Sequence, residues 1–298
     1  MFFQRRHLAA AIGGLLLSCA AHAGKLAIVI DDFGYRPSEE NKVLQMPAAI
    51  SVAVLPDAPG ARQMATKAHQ SGHEVLIHLP MAPLSKQPLE KNTLTPEMSS
   101  EEIARILRSA VNNVPYAVGL NNHMGSKMTS SLPGMVKMMQ ALNQYNFYFL
   151  DSMTIGNSQS VPAAQGTHVK VLKRRVFLDD SQDINAIRQQ FTRAVKLAQR
   201  DGYAIAIGHP HPNTVRVLQQ MLPTLPADIT LVRPSQLLNE PLRGGAKPVT
   251  PSHPQQPGFQ PPGVCKVQPQ PVPATRALEV VWESAGQSVV VRGLKQLY

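Results

Sequence analysis

Two adjacent carboxylates, Asp31 and Asp32, end an apolar run that reads Lys25-Leu-Ala-Ile-Val-Ile-Asp-Asp-Phe-Gly-Tyr35. β-Branched and aliphatic residues ending in acid indicate a buried strand that delivers charge to its C-terminal rim. Side by side, two carboxylates repel and raise one pKa unless a cation lies between them. The pair therefore suggests a metal site or an acid/base pair; the plainer alternative has one Asp capping the next turn and the other facing water. Polar residues recur at the ends of later apolar segments: His78, Asn121-Asn122-His123, Asp151, Asp179-Asp180, His209 with His211, and Arg233. Each alone has an ordinary explanation, such as a histidine bonded to backbone. Together they describe a rim that can bind a metal through imidazole and carboxylate.

The segments that would position them alternate in type. Strands are expected at 26–31, 49–55, 74–79, 116–121, 147–151, 173–179, 203–208 and 229–233. Helical spacing is clearest over 183–200, where Ile184, Ile187, Phe191, Ala194, Val195 and Ala198 recur and Gly202 is placed to end the helix. Ser99-Ser-Glu-Glu102 has the form of a capping box. Seven or eight βα units fit a parallel (β/α) barrel, with a doubly wound sheet as the alternative. In a parallel barrel the strand ends converge on one face, where active sites form.

Composition divides the rest. Residues 1–23 read as a secretory leader: Arg5 and Arg6, an apolar stretch from Leu8 to Cys19, and Ala21-His22-Ala23 before Gly24. The apolar stretch is too short for a stable transmembrane anchor. Lipoprotein processing at Cys19 is the lesser alternative, because Leu17 fits that pattern poorly. Periplasmic export is the expectation. Removing the leader leaves Cys265 alone, so no internal disulfide can form. The net charge of +10 falls to +8 when Arg5 and Arg6 leave with the leader, and a chain still this basic suits anionic envelope surfaces. Nucleic acid is not an expected partner, since aromatic content is only 5% and no basic run is interleaved with aromatics. After the expected barrel (24–239) comes a linker, 240–275; Pro241 to Pro273 holds ten prolines and no acid, the composition of an extended, disordered chain. Residues 276–298, with Leu278-Glu-Val-Val-Trp282 and Ser288-Val-Val-Val-Arg292, are expected to be a short C-terminal β segment. Such a tail has the reach to meet an envelope partner.

From Lys25 to Leu238 the chain resembles the polysaccharide deacetylases of the NodB-homology type (carbohydrate esterase family 4), and most closely their divergent polysaccharide deacetylase branch. Val29-Ile-Asp-Asp-Phe-Gly34 is similar to that family's Asp-Asp-Gly motif with one residue inserted. Gly72-His73-Glu74-Val75-Leu76-Ile77-His78 matches Gly-His-Glu-Ile-x-x-His, and Pro83 also fits, but Ala82 stands where the second ligand histidine belongs. Asn121-Asn-His-Met-Gly125 keeps the glycine of Arg-x-Pro-x-Gly and lacks its arginine, and Ile207-Gly208-His209 matches the last motif.

The resemblance implies an irregular (β/α) barrel of seven or eight strands and a divalent metal, usually zinc, that activates water to remove acetyl groups from a polysaccharide or peptidoglycan-type glycan. It makes Asp31 the base, Asp32 and His78 metal ligands and His209 the general acid. His123 is the candidate replacement for the histidine missing at Ala82. Asn121 and Asn122 are candidates for oxyanion contact, Asp151 for orienting His209 or another site group, and His211 and Arg233 for substrate contact; His69 and His73, before the third strand, read as structural or surface. The rival is a non-catalytic glycan-binding protein on the same barrel. A phosphoacceptor receiver domain, which also carries an acidic pair, is disfavoured by the leader and by the lack of its later Asp and Lys.

Overall fold

The computed structural model describes residues 23–242; the expected leader, nearly all of the Pro-rich linker and the C-terminal β segment lie outside the described residues. Nine strands form one parallel sheet: β1 (Gly24–Phe33), β2 (Ser51–Val54), β3 (Val75–Met81), β4 (Ala117–Met124), β5 (Tyr148–Asp151), β6 (Val171–Lys173), β7 (Val176–Phe177), β8 (Tyr203–Gly208) and β9 (Ile229–Val232). Their order is β6-β5-β4-β3-β2-β1-β8-β7. The helices are α1 (Pro37–Val43), α2 (Ala61–Gln70), α3 (Ser100–Asn113), α4 (Ser126–Ser130), α5 (Leu132–Leu142), α6 (Ser160–Ala163), α7 (Ile184–Asp201) and α8 (Pro212–Met221). The result is a curled half-barrel, the (β/α) architecture expected of the deacetylase type.

The expected strand 173–179 is broken. Only Arg174 and Arg175 separate β6 from β7, yet these strands lie at opposite ends of the sheet. The chain crosses the barrel's seam there and cannot remain one strand. β9 adds a ninth strand by sharing an edge of β1: Gly24 to Ala27 pair with β9, and Val29 onward with β2.

Side-chain parity organises the interior. Leu26, Ile28 and Ile30 face outward and pack with helix residues such as Ile103, Phe191 and Leu218. Ala27, Val29, Ala53, Leu76, Leu150, Ile205 and Ile207 form a second cluster that fills the lumen. Successive side chains of a strand alternate between faces. Two residues beyond these apolar positions, on the same face, come Asp31, His78, Ser152 and His209.

The expected helix signals have structural counterparts. Asp183 caps α7 by accepting from Ala186 N at 2.9 Å, and Gly202 follows it with φ of 87°. Ser99 caps α3 by accepting from Glu102 N at 3.2 Å.

Candidate metal and catalytic site

The acidic pair depends on a break in β1. Its pairing with β2 slips between Ile30 and Phe33, so three steps along β1 match two along β2. A regular strand would send Asp31 inward and Asp32 outward. The bulge, with Asp32 in the left-handed region at φ 59°, brings both carboxylates to the rim of the lumen. Asp is among the residues that tolerate this conformation. The following turn is fixed by buried Glu40, whose Oε1 accepts from Gly34 N at 2.9 Å, Tyr35 N at 3.0 Å and Arg36 N at 2.6 Å.

Three side-chain atoms then converge. Asp32 Oδ1 lies 3.3 Å from His78 Nε2 and 3.0 Å from His123 Nδ1, and the two imidazole nitrogens are 3.2 Å apart. Asp32 Oδ1 is buried, and no donor meets it with hydrogen-bonding geometry. Tetrahedral ligands about 2.0–2.2 Å from a common zinc stand roughly 3.3–3.5 Å from one another. The orphaned oxygen and the spacing of two nitrogens and one carboxylate oxygen fit a divalent ion of that kind. Burial opposes ionisation of Asp32, but the imidazoles of His123 and His78 outweigh it and hold the carboxyl well below its usual range.

Surrounding groups fix the orientation of these three. His78 Nδ1–H donates to Asn121 Oδ1 at 2.8 Å, which leaves the Nε2 lone pair directed at the cluster. Asn121 Nδ2 donates in turn to Asp31 Oδ1 at 2.8 Å. Asp31 Oδ2 is 3.6 Å from His78 Nε2. Burial raises the Asp31 pKa, against the pull of His78 and His209.

Opposite them stands His209, with Nε2 3.9 Å from Asp32 Oδ2. Its Nδ1–H donates to Asp179 Oδ1 at 3.0 Å, and its backbone N–H donates to Asp179 Oδ2 at 2.7 Å. Burial disfavours the imidazolium, but the Asp179 carboxylate prevails and raises the pKa to about 9. His211 is beside it, ring centroids 5.7 Å apart, and meets the Arg36 guanidinium. Asp179, His209 and His211 form a second cluster of metal-ligating types. Both oxygens of Asp179 are already engaged, Oδ2 also by Thr214 Oγ1 at 2.7 Å, so this cluster serves as a histidine orienter.

Three expected site residues lie elsewhere. Asp151 has the opposite parity to Leu150; it accepts from Ser158 Oγ at 2.5 Å, Ser160 Oγ at 2.6 Å and Met153 N at 2.8 Å, and does not touch His209. Asn122, opposite in parity to Asn121, donates to Met124 O at 2.6 Å and accepts from Ser152 N at 2.9 Å. Arg233 bonds the carbonyl of Gly72 at 2.6 Å, before β3 and at the end of the barrel remote from the cluster. Its strand, β9, pairs only with the first residues of β1 and never reaches the rim. His73 is structural as expected, bonded to the Ile50 and Leu44 carbonyls; His69 stacks on Tyr116 at 4.1 Å.

Sequence reasoning missed Asp179 as the partner of His209, although Asp179 shares parity with Phe177, which packs against the lumen cluster. It also missed Arg174, two residues beyond lumen-facing Leu172. Ala82 sits on the rim with its N–H bonded to Leu94 O and its carbonyl to the N–H groups of Lys127 and Met128. His123, on the adjoining strand β4, joins the cluster with Asp32 and His78.

Residues 28–238 match the family described as divergent polysaccharide deacetylase. The chain is 66% identical over 296 residues to YibQ of Escherichia coli (strain K12), covering 98% of this chain and 92% of that one. It is 45% identical over 208 residues to a protein of Haemophilus influenzae (strain ATCC 51907 / DSM 11121 / KW20 / Rd), covering 70% and 74%. Among solved structures, a protein from Agrobacterium tumefaciens C58 superposes with a TM-score of 0.68 at 18% identity, over 73% of this chain and 90% of that chain. At that identity the likeness speaks to the fold alone. The family match spans nearly the whole barrel, from β1 past β9, and the chain belongs to the divergent polysaccharide deacetylase family.

Proposed function

We propose that this protein is a metal-dependent deacetylase that hydrolyses acetyl groups from an envelope glycan, acting in the periplasm after export. The observation that carries this reading is the convergence of Asp32, His78 and His123 on one point, with a buried carboxylate oxygen that no hydrogen bond satisfies. A divalent cation held there, zinc by its ligand set, would supply Lewis acidity and make water a nucleophile at neutral pH.

The chain's own residues do the rest. Asp31, held by Asn121 and raised in pKa by burial, accepts the proton of the attacking water at Oδ2, its carboxylate oxygen nearest His78. His209, protonated through Asp179, donates from Nε2 to the leaving amine as the tetrahedral adduct collapses. Asn121 orients His78 and Asp31 and is not free to face an oxyanion.

Elemental analysis of the purified full chain tests the reading. Wild type is expected to hold close to one zinc per chain; His123→Ala and His78→Ala lose it with the fold intact. Zinc-supplied protein without metal would instead favour the non-catalytic glycan-binding reading. Metal unchanged in His123→Ala would remove His123 from the ligand set.

A further inference from the structure

A recess of about 790 Å³ runs along the outer face of α7, on the side wall of the barrel. Arg188, Thr192, Lys196 and Arg200 line it at four-residue intervals, so they form one stripe of the helix. Arg193 flanks that stripe, and Arg175 joins it from the link between β6 and β7. From Arg188 to Arg200 the row extends about 18 Å at 1.5 Å per residue.

The charge in this recess is not balanced. Asp201 is the acid paired with its cations, bonded to Arg175 at 2.8 Å and to Arg200 at 2.6 and 2.8 Å. Arg188 and Arg193 donate to the neutral amides of Gln220 and Gln190, and Lys196 has no ion pair among the described residues. Neighbouring cations in a recess repel one another, and a bound anion relieves that repulsion.

The form of the recess selects among anions. Four of its five cations are arginines, whose planar forks match carboxylates in pairs. A row of this length suits a polymer with repeated charges better than a single small ion. A flat lipid surface cannot reach all the walls of a concave recess, and none of the exposed large apolar side chains lies on α7. α7 starts at Ile184, shortly after the rim residue Asp179, so a strand lying along it would approach the candidate site from the side.

From this arrangement we infer that the α7 recess holds a strand of carboxylate-bearing polysaccharide, outside the catalytic centre. The inference rests on the reading that the protein acts on a glycan and narrows its substrate to an acidic one.

The test is isothermal titration of the full chain with polygalacturonate, with neutral dextran and anionic phosphatidylglycerol vesicles as parallel arms. Wild type is expected to bind polygalacturonate more weakly as salt rises, and to ignore dextran. Arg188→Gln/Arg193→Gln/Lys196→Gln should lose on the order of tenfold in affinity. A control stripped of three exposed cations elsewhere, Lys67→Gln/Lys86→Gln/Lys91→Gln, should keep it. His78→Ala should also keep it, so that a failed metal site and a failed recess give different results. An unchanged affinity in the recess variant overturns the proposal. So does an equal loss in the control, or vesicle binding that depends on the recess while polygalacturonate is ignored.

Discussion

The state of His209 is set chiefly by Asp179, a carboxylate outside the Asp32, His78 and His123 cluster. Asp179 raises its pKa to about 9 in the folded chain, against about 6.5 in an unfolded one. A raised cationic pKa contributes stability that is complete below about 6.5 and is lost as pH climbs through about 9. That difference corresponds to on the order of 3 kcal/mol. Metal-free protein should therefore lose stability to denaturant between these pH values, and Asp179→Asn should flatten the dependence. On the proposed metal-dependent deacetylase reading, the same substitution should lower kcat roughly 100-fold and move the alkaline limb of the pH profile to lower pH. A variant with unchanged stability profile and alkaline limb would separate Asp179 from His209. The pair was only half legible in the sequence. His209 follows an apolar strand directly, whereas Asp179 follows β7, a strand of only two residues that is too short to carry a pattern. Parity also explains the misassigned neighbours: Asp151 and Asn122 each stand one residue out of phase with a lumen-facing position, Asp151 bonding Ser160 of α6 and Asn122 the backbone of Met124 and Ser152.

At the scale of elements, the β1–α1 turn decides whether Asp32 reaches the site. The apolar run announced the strand, and the register slip that turns Asp32 inward left one trace, the Phe33 inserted between the acidic pair and Gly34. Nothing local announced Glu40, because a glutamate in the first turn of a helix ordinarily faces water. Here it is buried and one oxygen gathers three consecutive N–H groups. Glu40→Ala would strand those donors and should cost about 2–4 kcal/mol, with affinity for the proposed metal falling as Asp32 loosens. Glu40→Gln keeps an acceptor oxygen and should retain most of the stability. Urea denaturation with parallel zinc titration distinguishes the two; equal behaviour of both variants would mean that the turn holds itself. The adjoining Gly34 has φ of 118°, and a Cβ there would come within 2.5 Å of Ala58 Cβ, so the position admits no side chain without a shift.

Across the whole molecule, the parallel sheet followed from the βα alternation, since parallel strands need crossovers and helices join successive strands from β1 to β6 and from β7 to β9. The seam did not, because its two edge strands are too short to carry a pattern. β6 and β7 have three and two residues and do not pair with each other. Arg174 spans the gap. Its Nε and Nη2 donate to the carbonyls of Ser152 and Met153 beyond β5, and its guanidinium lies 5.0 Å from the ring centre of Phe177 on β7. Burial lowers the Arg174 pKa, partly offset by Asp31, Asp151 and Asp180. Removing that side chain leaves two carbonyls and one aromatic face without their partner at the break in the curl between the ends of the sheet path. Arg174→Ala should therefore cost roughly 2–3 kcal/mol, a fall of about 5–10 °C in Tm for a barrel of this size. The loss should be local first: amide exchange should accelerate in β6 and β7 while β3, β2 and β1, in the interior of the sheet, stay protected. Uniform acceleration across all strands would mean that the half-barrel opens as a unit and that Arg174 does not close it.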